Sequence, residues 1–86
     1  MTNAQTQDVE YDPEHGLMYI WLDRQKPWHH MRSLDGCRNV DYAQDDTPIG
    51  IELVCVKKGV DLTGLPSPAE LRAVLERYGI SILQIQ

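Results

Sequence analysis

A single segment of the chain has the length and periodicity of a helix, which restricts the fold to a sheet with one helix against it. Residues 67–70 (SPAE) have the features of a helix N-terminus, because a serine hydroxyl can accept a hydrogen bond from a free backbone amide and proline at the first helical position needs no amide donor. Apolar residues then recur on one helical face: Leu71, Val74, Leu75 and Tyr78. Gly79 follows as a left-handed cap.

The segments before the helix are short, rich in β-forming residues and separated by turns. Residues 17–22 are six consecutive apolar residues, which predicts a central strand buried on both faces. Residues 28–34, 37–43 and 49–56 alternate in polarity to different degrees, and residues 80–85 predict a last strand. The predicted fold class is α+β: an antiparallel β-meander of three to four strands with one helix and a C-terminal strand.

The size of the chain restricts it to one domain. It has 86 residues, 42% of them hydrophobic and 24% charged, which is close to the globular average. A second core would need roughly 50 residues of its own. Residues 1–8 are polar and lack periodicity, so we predict a flexible N-terminal tail followed by a single α+β domain over residues 9–86. One helix covers one sheet face, and we therefore expect a homodimer that buries the other face.

The charge of the chain is acidic and unevenly distributed. Eight Lys and Arg residues stand against 13 Asp and Glu, a formal net charge of −5. Direct binding to nucleic acid is therefore disfavoured, since the phosphate backbone requires a basic surface. Residues 1–56 carry 4 basic and 10 acidic residues, whereas residues 57–86 carry 4 and 3. An acidic sheet suits recognition of a basic partner protein, although an acidic surface also serves solubility alone.

Two further features predict where the protein is located. No apolar run approaches 18 residues, and residues 1–10 lack the basic and apolar regions of a secretory signal, so we expect neither a membrane span nor secretion. With only two cysteines, the chain is expected in a reducing cytoplasm.

The candidate partner-binding residues are charges within or beside the predicted strands, together with one tryptophan: Asp41, Asp45, Asp46, Glu52 and Trp28. Residues 41 and 52 lie diagonally close in the predicted register, which suits an acid/base pair or a solvated sheet face. A calcium loop starting at Asp41 fails, because its sixth position is Asp46 instead of glycine.

The remaining candidates for chemistry are the histidines and cysteines. His29 and His30 are adjacent in a predicted strand, where their rings would point to opposite faces and could not share one metal ion. Antiparallel pairing places Cys37 near position 54 or 55, so the alternatives for Cys37 and Cys55 are two reduced thiols, a disulfide or redox switch, and a nucleophilic cysteine. No catalytic residue, metal site or cofactor is predicted, and an enzymatic activity is left uncertain.

Several short segments resemble a small bacterial family, domain of unknown function 2283. The segments are YDPEHGLMYIWL at residues 11–22, DG at 35–36, NVDY at 39–42 and IGIELV at 49–54. The residues that match the family pattern together are Asp12, Tyr19, Ile20, Asp41, Gly50, Ile51 and Glu52. The chain departs from the pattern at residues 44–48 (QDDTP), which lack the usual glycine, at residues 37–38 and after the last strand of the match.

The resemblance implies a compact β-meander with a helix and no established activity. Some members of the family are similar in gene setting to antitoxins that lie beside a small ribonuclease-like toxin. The leading functional hypothesis is therefore a non-enzymatic protein-binding module, most concretely an antitoxin-like neutraliser of a basic partner. The alternatives are a small metal-dependent enzyme or ligand-binding module that uses His29, His30, Asp41 and Glu52, and a structural homodimer module.

Overall fold

The computed structural model of the protein describes residues 8–83. In chain order its elements are β1 (Val9–Asp12), β2 (Leu17–Trp21), β3 (His30–Asp35), β4 (Arg38–Tyr42), β5 (Pro48–Val54), a 3₁₀ turn (Val56–Lys58), β6 (Val60–Asp61), α1 (Pro68–Arg77) and β7 (Ile82–Leu83). Among these residues, no helix has the length and apolarity needed to cross a membrane.

The first five strands form one antiparallel sheet in the order β1-β2-β5-β4-β3. Strands β3, β4 and β5 follow one another as a meander, and the β1–β2 hairpin adds to the other side of β5. The α+β class is confirmed, with five strands in place of the predicted three to four. The central strand is β5, not the predicted segment at residues 17–22.

The additional strand is β1, which runs into residues 11–16, a segment whose Asp-Pro and glycine are typical of a turn. Val9 and Tyr11 pack against the core, and the intervening Glu10 is exposed, so the strand alternates as an amphipathic edge strand does. Its short length and the following Asp-Pro obscure this pattern in the sequence. Residues 1–7 of the predicted tail lie outside the described residues, and the backbone carbonyl of Asp8 accepts a hydrogen bond from the Trp21 amide.

The predicted last strand is shorter in the structure. Ile82–Leu83 forms β7, which pairs in parallel with β6. Strand β6 lies within residues 57–66, a segment whose two glycines and final proline favour a loop. The part of the predicted strand at residues 84–85 lies outside the described residues.

The core lies between α1 and one face of the five-stranded sheet. Leu71, Val74 and Leu75 on the helix are at most 1% exposed, as their spacing predicts. Tyr78, the fourth member of the predicted stripe, is 40% exposed and contacts the edge of the Tyr11 ring. The sheet contributes its own buried side chains to the same cluster: Met18, Ile20, Val40, Ile51 and Leu53.

The predicted cap at the C-terminal end of α1 is confirmed, whereas the predicted cap at its N-terminal end is not. Gly79 has a φ of 72°, and the amides of Gly79 and Ile80 donate to the carbonyls of Glu76 and Leu75, which confirms the left-handed glycine cap. Ser67 is the N-cap residue, but its φ is 53° and its side chain makes no capping hydrogen bond. The predicted capping role of the serine hydroxyl is therefore wrong, because this backbone conformation does not aim it at the helix amides.

Strand β2 is buried on only one face, so the expectation of burial on both faces is wrong. Met18 and Ile20 are at most 2% exposed, whereas Leu17 on the opposite face is 41% exposed. The side chains of Tyr19 and Trp21 are half-buried on that opposite face. We call this face, which α1 does not cover, the open face of the sheet.

Candidate functional site

The register of the strands places four carboxylates on the open face. They belong to Glu10 and Asp12 on β1, Asp41 on β4 and Glu52 on β5. In this register, none of the five described strands places a Lys or Arg side chain on the open face. The strands of the open face therefore contribute negative charge alone.

A glycine in the central strand leaves room for a tyrosine side chain to extend over that strand on the open face. Gly50 lies opposite Trp21 on one side and Asp41 on the other, and a Cβ added at Gly50 would lie 1.9 Å from the Tyr19 hydroxyl. The ring of Tyr19 thus occupies the space above Gly50. From there its hydroxyl donates a 2.6 Å hydrogen bond to Oδ2 of Asp41, two strands away.

The environment of Tyr19 keeps its hydroxyl protonated. Burial raises the pKa of Tyr19 above 10.0, and the hydrogen bond to Asp41 and the charges of Asp41 and Glu52 raise it further. A phenol in this state is a hydrogen-bond donor and not a base. Tyr19 therefore serves to fix the position of the Asp41 carboxylate.

Trp28 donates a hydrogen bond to the second carboxylate oxygen of Asp41. Its indole Nε1 donates to Oδ1 of Asp41 over 3.1 Å, while 62% of the residue stays exposed. The Trp21 ring packs edge-on to Tyr19 with 4.7 Å between centroids, and the Arg24 guanidinium lies 4.2 Å from the Trp21 centroid. Asp41 is thus a carboxylate held by two aromatic donors within an exposed aromatic surface.

Glu52 and Glu10 lie on the other side of Tyr19, along a groove of about 270 Å³. Oε1 of Glu52 accepts a 2.8 Å hydrogen bond from Asn39, its partner in the register. The Glu10 carboxylate has no hydrogen-bond or ion-pair partner among residues 8–83. Leu17 forms part of the apolar wall of this groove.

The predicted candidates Asp45 and Asp46 lie in the turn between β4 and β5, where Asp45 lines one pocket with Trp28. Asp45 accepts hydrogen bonds from Lys26 and from the Thr47 amide, and the Lys26 interaction holds its pKa well below the usual range. Asp46 pairs with His30 over 3.2 Å. The structure thus brings together Trp28, Asp41 and Glu52 on one face and places Asp45 beside Trp28, whereas Asp46 pairs with His30.

The expected separation of the two adjacent histidine rings is wrong. His29 precedes β3, so the alternation of strand side chains does not apply to it, and its Nδ1 lies 2.9 Å from Nδ1 of His30. The His30 ring stacks on Tyr42. Since His30 shares a side of the sheet with Arg32, opposite to Met31 and Asp41, the alternative site built from His29, His30, Asp41 and Glu52 does not converge.

Another group of metal-ligand residues lies in the β1–β2 turn. Within residues 8–83, Asp12, Glu14 and His15 place their possible ligand atoms within 4.8 Å of one another. The Nδ1 of His15 is 2.7 Å from the Asp12 carboxylate, and this hydrogen bond lowers the pKa of Asp12. Lys57 donates to the Glu14 carbonyl beside this group and adds positive charge there. These exposed turn residues stabilise the turn.

Sequence reasoning missed Tyr19, Asn39 and Gly50 as parts of the site. The signal that identifies them is the register, since pairing β2, β5 and β4 places Tyr19 opposite Glu52, Glu52 opposite Asn39 and Gly50 opposite Asp41. The predicted diagonal arrangement of residues 41 and 52 is confirmed.

Comparison with known proteins places the larger part of the chain in one family. The family model described as Protein of unknown function (DUF2283) matches residues 8–57, more than half of the chain. The matched segment contains β1 to β5 and therefore every strand residue of the open face. No curated protein and no solved structure matches the chain.

Proposed function

The chain belongs to the DUF2283 family of proteins of unknown function, and we propose that it is a non-enzymatic protein-binding module whose open face captures a basic partner protein. The observation that carries this proposal is the combination of four carboxylates with exposed apolar and aromatic side chains on one face. Leu17, Trp28 and Met31 are between 41% and 62% exposed. Interfaces are enriched in such aromatic residues and Met, and opposite charge steers the encounter.

The hydrogen bonds around Asp41 favour recognition over catalysis. Both oxygens of Asp41 already accept hydrogen bonds, from Tyr19 and Trp28. A carboxylate held in this way loses little side-chain entropy when a cationic side chain of a partner pairs with it. Preorganised acceptors beside exposed aromatic rings suit arginine in particular, which combines a charge with a flat apolar face.

The most concrete form of the proposal is an antitoxin-like protein in a bacterial cytoplasm. The family resemblance supports the antitoxin-like role and the bacterial setting. The two free cysteines among the described residues support a reducing compartment. In this setting, the basic partner would be the toxin that the open face neutralises.

A homodimer is the competing occupant of the same face. Two copies joined across a twofold axis would bring two sets of four carboxylates into one interface, where like charges oppose association. Charge therefore favours a basic partner over a second copy. Sedimentation at micromolar concentration distinguishes the two occupants.

A metal-binding module is the second candidate function, favoured by the histidine pair. The two Nδ1 atoms of His29 and His30 converge, and Asp46 holds Nε2 of His30 as a carboxylate partner holds many metal-binding histidines. Elemental analysis of tag-free protein tests this candidate. Stoichiometric zinc, nickel or manganese that is lost in His29→Ala would support it, and protein free of metal would exclude it.

Affinity capture with matched variants tests the leading proposal. Tagged wild-type protein, Glu10→Gln/Glu52→Gln and Glu76→Gln would be used as baits against native lysate and against the co-expressed product of the neighbouring gene. Each Gln keeps the size of Glu and a hydrogen-bond acceptor. Glu76 is exposed on α1, on the side of the molecule away from the open face.

We expect one basic protein to be retained by the wild type and by Glu76→Gln. Retention should fall in the double variant and in about 0.5 M salt, where the Debye length shrinks to about 4 Å. A captured protein that binds all three baits equally would contradict the proposal, as would the absence of any captured protein.

A further inference from the structure

Cys37 and Cys55 lie at neighbouring strand ends in the middle of the sheet. Cys37 directly precedes β4 and Cys55 directly follows β5. The Val54 amide donates a 2.8 Å hydrogen bond to the Cys37 carbonyl, which holds the two strand ends together. Both cysteines are free and partly exposed, so a small oxidant in solution can reach them.

The backbone conformation of Cys55 brings the two side chains to one place. Cys37 pairs with Val54, so Cys55 would point to the opposite face of the sheet if the strand continued. Instead, Cys55 has a φ of 70° and a ψ of 34°, a left-handed conformation that is uncommon outside glycine. This conformation ends the strand alternation of side chains between the two sheet faces, so Cys55 does not follow it.

Both cysteines line one cavity of about 200 Å³, together with Leu53, Val60 and Leu83. A hydrogen bond between the Cys37 and Cys55 side chains and partial burial raise the pKa of Cys37. The shared cavity and this interaction place the two thiols side by side. Directly paired antiparallel Cα atoms lie within the range that a disulfide requires, and Cys55 directly follows Val54, whose amide donates to the Cys37 carbonyl.

We propose that Cys37 and Cys55 are a redox-active dithiol that hydrogen peroxide converts to an intrachain disulfide. The proposal does not depend on the function proposed for the open face. The reduced state that the structure describes is the starting state of the pair. Transient disulfides of this kind are the usual form of disulfide in a reducing compartment.

The reaction consumes one peroxide for each disulfide. The thiolate of one cysteine attacks a peroxide oxygen, the O–O bond breaks, and the leaving hydroxide takes up a proton to become water. The second thiol then attacks the sulfur of the resulting sulfenic acid. The S–S bond forms, the S–O bond breaks, and a second water leaves with the proton of that thiol. The two sulfurs lose two electrons, which reduce the peroxide.

Mass spectrometry of the intact full-length protein tests the proposal. Reduced wild-type protein would be treated with a small molar excess of hydrogen peroxide, denatured and alkylated. We expect a loss of about 2 Da and no alkylation, reversed by dithiothreitol. Peptide mapping should place the bond between Cys37 and Cys55, and the rate should not depend on protein concentration, because the reaction is intramolecular.

The single variants Cys37→Ser and Cys55→Ser are the matched controls, and neither should give the monomeric product that is lighter by about 2 Da. Three results would overturn the proposal: wild-type protein that retains two alkylatable thiols, protein that gains oxygen without forming a disulfide, and protein that forms only disulfide-linked dimers.

Discussion

At the scale of single residues, the absence of a side chain at position 50 decides the geometry of the open face. Tyr19 reaches Asp41 across the central strand only because Gly50 leaves the intervening space empty. In Gly50→Ala, the new methyl group would overlap the tyrosine ring and force it to move. We expect the free energy of unfolding to fall by about 1–3 kcal/mol, as for other overpacked sites. Urea denaturation measures this change.

Gly36→Ala is the control for that substitution. Gly36 does not have a positive φ, and a Cβ added there would meet no atom within 4 Å. The free energy of unfolding should change by less than about 0.5 kcal/mol. Equal losses in the two variants would mean that the position of Tyr19 over Gly50 does not contribute to stability.

The raised pKa of Tyr19 predicts a loss of stability in alkaline solution. Below pH 10.0, the phenol is protonated in both the folded and the unfolded chain, and the hydrogen bond to Asp41 contributes fully. Above that pH, the unfolded chain releases this proton while folded Tyr19 retains it, so stability falls as pH rises.

Urea denaturation at pH 8 and at about pH 10.5 compares the wild type with Tyr19→Phe, which has no phenol proton at this position. The wild type should lose more stability between the two pH values than the variant does. The other titrating groups are common to both proteins and cancel in the comparison. Parallel losses would show that Tyr19 does not hold its proton more tightly in the folded state.

The sequence predicts a site residue when the residue contributes its own charge. It does not predict a site residue whose role depends on a contact with a distant strand. Asp41 and Glu52 are recognisable as charges within strands, and their diagonal placement follows from the hairpin register. The contribution of Gly50 depends on Tyr19, and this contact joins strands separated by the whole β3–β4 segment. The local sequence pattern around either residue therefore does not predict that contact.

At the scale of secondary-structure elements, the start of α1 shows that a motif can predict a position without predicting its geometry. The serine and proline at residues 67–68 predict where the helix begins, and this is confirmed. The hydroxyl of Ser67 makes no capping bond, because the residue is left-handed. The preceding chain reaches the helix from Leu65, which is buried in the core, and this tertiary constraint overrides the local capping preference.

The left-handed conformation of Ser67 predicts an unusual response to substitution. A left-handed conformation is unfavourable for a residue with a Cβ, and Ser67→Gly removes the Cβ. We therefore expect the free energy of unfolding to rise by up to about 1 kcal/mol. In Ser67→Ala, nothing is lost from capping, and the change should be close to zero. Urea denaturation distinguishes this outcome from that of a capping serine, whose replacement by alanine costs about 1 kcal/mol.

At the scale of the whole molecule, the presence of a single helix predicts the open face, whereas the apolar run at residues 17–22 does not. One ten-residue helix cannot cover both faces of a sheet, and within residues 8–83 one face is left without a helix. The six apolar residues at 17–22 predict burial on both sides because hydrophobicity alone does not distinguish a buried face from a partly exposed one. Leu17, Tyr19 and Trp21 lie on the partly exposed face.

A disulfide between Cys37 and Cys55 would act on the stability of the whole chain. It would close a loop of about 19 residues around the β4–β5 hairpin, in the middle of the sheet, and so reduce the conformational entropy of the unfolded state. The chain-entropy relation gives about 3 kcal/mol of added stability for a loop of this length. Urea denaturation of peroxide-treated protein with and without dithiothreitol measures the difference.

The double variant Cys37→Ser/Cys55→Ser separates this effect from other oxidation, because it keeps the three methionines of the chain and lacks both thiols. Its stability should be the same with and without dithiothreitol. If the oxidised wild type is less stable than the reduced protein, the bond distorts the folded strand ends by more than it restricts the unfolded chain. The left-handed turn at Cys55 argues against that result, since both thiols already line one cavity in the reduced fold.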